Sequence, residues 1–195
     1  RARGVLALVG LAPAELKHLF GGASAVVVTA DGTKPAVTAV IGTGDGAKTQ
    51  SILDTVRTKA AAFAGTKLPA FAQVALGNGV TGWESKASPE ASIVYGVDGT
   101  TALIGSSVNG VTQVQQPAAV LSDDAAFKVA TEQMPAKVSG LVWLNGDALW
   151  NLIEVNGGFA KATQEQIANL RPLRNVAAWS TEGSTPTFEA FITIK

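Results

Sequence analysis

Phe71-Ala-Gln-Val-Ala-Leu-Gly-Asn78-Gly79-Val-Thr-Gly-Trp-Glu-Ser-Lys86 decides the fold. Asn-Gly tolerates positive φ at both central turn positions, and the resulting turn follows the natural twist of two antiparallel strands. The stretch therefore predicts a hairpin with arms Phe71–Leu76 and Thr81–Lys86. The same grammar recurs on either side. Ser24–Ala30 and Ala36–Ile41 flank Asp31-Gly32, and Ile93–Val97 and Thr101–Ile104 flank Asp98-Gly99. Connections this short join only antiparallel neighbours.

Between the hairpins the hydrophobic period changes to that of a helix. Ile52, Leu53, Val56, Ala60 and Phe63 fall on one side of a segment from Gly46 to Ala64, closed by Gly65 and Pro69. Pro13 to Phe20 reads as a helix ended by Gly21-Gly22, and Val108, Val111 and Val114 mark a short one before Pro117. Ser122 is placed to cap a helix from Asp123 to Met134, and Asp147 one carrying Leu149, Trp150 and Ile153. Thr163-Gln-Glu-Gln166 matches a capping box. Val138–Leu144, Asn175–Thr181 and Thr187–Ile194 complete nine strands, and the Gly157-Gly158 loop is the expected mobile segment. Adjacent hairpins, rather than strands alternating with helices, predict one α+β domain over residues 1–195. Its expected form is a twisted, mainly antiparallel sheet with helices packed on one face.

Composition narrows the function. Formal net charge is zero and charged residues are only 15% of the chain, which excludes the cationic surface that nucleic acid requires. There is no cysteine and one histidine, so thiolate chemistry and a histidine pair for zinc are excluded. No run of about twenty apolar residues spans a bilayer. The low-charge surface points to an extracytoplasmic setting, and no cofactor is expected.

One motif invites chemistry. Gly42-Thr-Gly44-Asp-Gly46-Ala-Lys48-Thr49 lies between a strand and a helix and approaches the phosphate-loop pattern, in which backbone N–H groups cradle phosphate. Gly42, Gly44, Gly46, Lys48 and Thr49 are its candidate nucleotide-binding residues. Against it, Ala47 replaces the glycine before the lysine, the preceding strand belongs to a hairpin, and no strand ends in a metal-supporting acid. His18 stands alone as a base. Glu84 and Glu90 flank a strand end and would serve a hydrolase only if their carboxyls converged. Trp143, Trp150 and Trp83 are either core or the aromatic wall of an apolar ligand site.

The order of segments resembles a known family. The similarity rests on Gly21-Gly22 running into a valine-rich strand and on Ala47-Lys48 at a helix start. It continues through Tyr95-Gly-Val-Asp-Gly-Thr-Thr-Ala-Leu-Ile-Gly-Ser-Ser107, Leu121-Ser-Asp-Asp-Ala-Ala-Phe-Lys128 and Leu141-Val-Trp-Leu144, over most of residues 15–155. The family is an uncharacterised bacterial one, found in actinobacteria and cyanobacteria and classed only as a domain of unknown function. The resemblance implies an exported or membrane-anchored chain, read here as the later part of a longer protein whose missing N-terminal portion would hold any anchor. It supplies no catalytic residues, and it implies a charged turn where the phosphate loop would stand.

The expectation from the sequence is a non-catalytic cell-envelope domain that binds a partner protein or an apolar small molecule. Nucleotide binding at Gly42–Thr49 is the alternative.

Overall fold

The computed structural model describes residues 15, 18–19, 21–64, 69–88, 91–160, 162–181 and 187–194. The helix expected over residues 13–20 falls largely outside them, as does Glu90. The chain divides into two compact units, one ending at Pro117 and one beginning at Ala118.

The first unit is built from three hairpins. They are β1 (Ser24–Asp31) with β2 (Lys34–Gly42), β3 (Ala72–Gly77) with β4 (Val80–Ser88), and β5 (Ala91–Asp98) with β6 (Thr101–Gly105). Each turn contains a residue with positive φ: Gly32 at 62°, Asn78 at 50° with Gly79 at 76°, and Gly99 at 54°. All pairings are antiparallel and the order is β1-β2-β6-β5-β4-β3, leaving β1 and β3 as edges. Helix α1 (Gly46–Ala64) links β2 to β3, and α2 (Val108–Gln115) follows β6.

Consecutive strand residues point to opposite faces. Val94 of β5 packs with Leu76, Leu103 and Val111, so its face holds α2. Its neighbour Tyr95 bonds Asp54 of α1, so α1 covers the opposite face. Helices therefore flank this sheet on both sides, where the sequence suggested one.

Helix α2 touches both outermost strands, β1 and β3. In a flat six-stranded sheet those strands would stand about 24 Å apart, twice the length of this eight-residue helix at ~1.5 Å per residue. The sheet instead curls around α2. Glycines permit the close approach: a side chain on Gly105 would strike Val111, and one on Gly110 would strike Ala36. Polar side chains then tie α2 to all three turns. Asn109 donates to Asp31 (2.7 Å), Gln115 to Asp98 (2.6 Å), and Gln116 to Asn78 (2.8 Å). The bonds from Asn109 and Ser107 hold the Asp31 carboxyl below the usual carboxylate range.

The second unit holds a separate three-stranded antiparallel sheet, β7-β8-β9. Its elements are α3 (Ala125–Thr131), β7 (Gly140–Asn145), α4 (Gly146–Val155), α5 (Gln164–Leu170), β8 (Leu173–Ser180) and β9 (Phe188–Ile194). Nine strands occur among the described residues, as expected, but in two sheets rather than one. Two caps move. Asp124, not Ser122, accepts from Phe127 N and caps α3, because residues 121–123 form a 3₁₀ turn ahead of it. Asn145, not Asp147, accepts from Ala148 N and caps α4. The capping box between Thr163 and Gln166 is present at α5. The loop expected to be mobile begins as a glycine C-cap: Gly158 N donates to Ile153 O and Gly157 N to Glu154 O, with Gly157 at φ 69°.

Candidate functional site

Much of the Gly42–Thr49 backbone is bonded inside the fold, while the Asp45 and Lys48 side chains are exposed. Gly42 N donates to Ala23 O, Thr43 N to Thr100 O, and Gly44 N to His18 O. Lys48 N donates to Asp45 Oδ1, a helix cap. Thr49 is fully buried and its hydroxyl donates to Asp45 O at 2.7 Å, so the hydroxyl that a phosphate loop offers to a metal ion is engaged inside the fold. The glycines are explained by backbone packing. A side chain on Gly46 would collide with the Gly99 carbonyl, and one on Gly42 would meet Ala23 O at 2.6 Å. The segment is the place where the β5–β6 turn and the chain entering β1 press against the start of α1.

The three candidate tryptophans each have their own partners. Trp83, in the first unit, lies under the Arg57 guanidinium, 3.8 Å from ring centroid to Cζ. Trp143 stacks edge-on against Phe127 at 5.4 Å and joins the core formed by Ala130, Ala177 and Trp179. Trp150 donates its indole N–H to Leu173 O and leans on Phe159. Glu84 pairs with Lys86 at 3.4 Å on its own strand. Among the described residues no group of three or more His, Asp or Glu could hold a metal ion, and no helix is long and apolar enough to cross a membrane.

A polar cluster unforeseen from sequence lies between α1 and the sheet. Asp54 receives Tyr95 OH at 3.3 Å, Gln50 Nε2 at 3.0 Å and Arg57 at 3.4 Å, while Phe71 meets the Tyr95 ring edge-on. Burial pushes the Tyr95 hydroxyl up to about 12, against the smaller opposing pull of Arg57. A raised pKa means the fold favours the neutral phenol. Its contribution to stability is whole below the unfolded value near 10 and is lost as pH climbs from there through about 12. Tyr95 is the only tyrosine, so ultraviolet titration reads it alone. No phenolate band is expected near pH 10 in the folded protein. Ordinary ionisation there would place the hydroxyl in water and refute the buried bond.

Beside this cluster, Gln50, Ser51, Asp54, Thr55, Thr58 and Lys59 line most of an open groove of about 570 Å³. Ala47 completes its lining, and the groove is shallow and open rather than the enclosed, mostly apolar cleft of a typical small-molecule site.

The largest apolar exposure lies in the second unit. Trp143, Ala177 and Phe191 are in register across β7-β8-β9 and face α3. The alternate residues point the other way, where a one-sided sheet carries polar groups. Here they are Val142 opposite Ala178 and Ala190, and Leu144 opposite Val176 and Ile192. Val142 is 55% exposed, Ile192 55%, Ile194 71% and Phe188 72%. The sheet is apolar on both faces; α3 covers one, and on the other the outer-strand residues stay exposed while Ala178 of the central strand is buried between them. The run Leu141-Val-Trp-Leu144 was the available sequence signal, since strands buried on both sides read as continuous apolar stretches.

Comparison of the chain with protein-family models, with curated proteins and with solved structures finds no match.

Proposed function

We propose that this chain is a non-catalytic binding domain of the cell envelope, and that a partner protein docks on the open face of β7-β8-β9. The observation that carries the reading is the exposure of Val142, Leu144, Phe188, Ile192 and Ile194 on one side of a single sheet. A contiguous apolar patch of this kind marks an interaction surface. A protein partner fits better than a small molecule because a sheet face is broad and shallow, whereas ligand sites are concave. The envelope setting is supported by the low charge and the family resemblance.

Two measurements test it. Incubation with fatty acids or a lipid extract, then native mass spectrometry, is expected to return the bare protein mass. A retained adduct would replace the partner protein with an apolar small molecule. A photo-crosslinking side chain at Val142, in cells that make the protein, is expected to give one discrete protein adduct. Ile192→Lys should weaken that complex at least about thirtyfold, the effect of losing ~2 kcal/mol at an interface centre. Thr58→Lys, on α1 of the other unit, should leave it intact. Adducts scattered over many proteins, or one indifferent to Ile192→Lys, would overturn the reading.

A further inference from the structure

Edge strands in native sheets are normally protected by charge, proline, a bulge or a cover. Strand β1, Ser24-Ala-Val-Val-Val-Thr-Ala-Asp31, carries no proline and no charge before its last residue. Its pairing with β2 runs without a register shift over eight residues. Val26 is 70% and Val28 58% exposed, and Val37 beside them 44%.

The ladder fixes which backbone groups face outward. Gly42 N donates to Ala23 O. Bonded positions in an antiparallel ladder recur every second residue, so Ala23, Ala25, Val27 and Thr29 pair inward with β2. Ser24, Val26, Val28 and Ala30 then turn their N–H and C=O groups to the open side. One of these is already engaged: Gln113 of α2 donates to Ala30 O at 3.0 Å. Among the described residues, the edge open to a new strand is therefore Ser24 to Val28.

We propose that this edge pairs with β1 of a second copy of the chain, antiparallel about a two-fold axis at Val26. That register uses the open groups and leaves Ala30 to Gln113. Val26 pairs with Val26 of the second copy, and Ser24 with Val28, exchanging about six backbone hydrogen bonds. It sets the exposed valines of the two copies side by side. It also places Asp31 opposite Gly21, so no like charges meet. An uncharged, β-branched strand is the chemistry this edge accepts, and the chain itself carries one. A strand-to-strand contact is small beside the ~1,600 Å² of a standard interface, so the dimer is a weak, concentration-dependent one. It is independent of the docking face on β7-β8-β9.

The test uses the whole chain. Sedimentation velocity from micromolar to millimolar protein is expected to show a reversible monomer–dimer equilibrium. Val26→Pro removes an outward N–H that β2 does not use, so it should abolish the dimer and keep the melting temperature. Val26→Cys would be the sole cysteine of the chain. Paired residues exchanging both hydrogen bonds lie ~5.5 Å apart at Cα, within disulfide reach. It should oxidise to a covalent dimer at least tenfold faster than Thr58→Cys. A chain monomeric at millimolar concentration, a dimer that survives Val26→Pro, or equal oxidation of the two cysteine variants would each overturn the proposal. The first of these would leave the edge to a foreign strand.

Discussion

Gly46→Ala is expected to destabilise the protein by about 3 kcal/mol or more, while Gly44→Ala two residues earlier changes stability by less than about 1 kcal/mol. The two glycines belong to one motif and neither has positive φ. They differ in what surrounds them. A methyl group on Gly46 would occupy the space of the Gly99 carbonyl, which is backbone and cannot rotate away. On Gly44 the nearest atom would be Gly21 Cα at 3.9 Å, an ordinary contact. The relief available to Gly46→Ala is to push α1 away from the β5–β6 turn, which disturbs Thr43, bonded to Thr100 by both N and Oγ1. Urea denaturation followed by far-ultraviolet circular dichroism separates the two variants. Equal loss in both would mean that the glycines serve something other than backbone packing. A phosphate-binding loop requires close approach at several glycines together, whereas the geometry demands it most severely at Gly46.

Local chemistry was legible in the sequence because it is written in neighbouring residues. Asp31-Gly32, Asn78-Gly79 and Asp98-Gly99 each mark a hairpin that forms. The Thr163 capping box and the helix from Gly46 to Ala64 were readable for the same reason. The arrangement of hairpins was not. β2 pairs with β6 from Thr38↔Gly105 to Gly42↔Thr101, residues that only the tertiary fold brings together. Turn signals say which strands are neighbours in sequence and nothing about where a sheet stops, so one sheet was expected and two exist. The Arg57–Trp83 contact depends on how α1 is rotated against the sheet, which periodicity leaves open for a helix with alanine on several sides. The candidate surface on β7-β8-β9 left a trace in Leu141-Val-Trp-Leu144. A continuous apolar strand reads as buried on both sides, and only the placement of α3 on one side and the exposure of Val142, Leu144 and Ile192 on the other tell the two apart.

The curl of the larger sheet makes its own prediction, and the sign is the informative part. Leu76 is fully buried, and its side chain leans across Gly82 to reach Gly96, two strands away. A Cβ on Gly96 would lie 2.5 Å from Leu76 Cδ1; its next neighbours, Gly82 Cα at 3.4 Å and Thr81 O at 3.6 Å, are ordinary contacts. Leu76→Ala is therefore expected to destabilise by about 3–5 kcal/mol, the range for emptying a well-packed leucine site. Gly96→Ala alone should cost about 1–3 kcal/mol by overpacking the same spot. In the double variant the alanine methyl at position 96 enters space that Leu76 has vacated. Gly96→Ala should then be neutral or stabilising, so the two changes couple by at least about 1 kcal/mol, as expected for side chains sharing one cavity. Chemical denaturation of the four proteins closes the cycle. If the losses simply add, Leu76 and position 96 do not meet, and the sheet does not fold its β3 edge inward over α2. A favourable coupling would locate the curvature in the glycines of β4 and β5, because a side chain from the edge strand can cross two neighbours only where those neighbours have none.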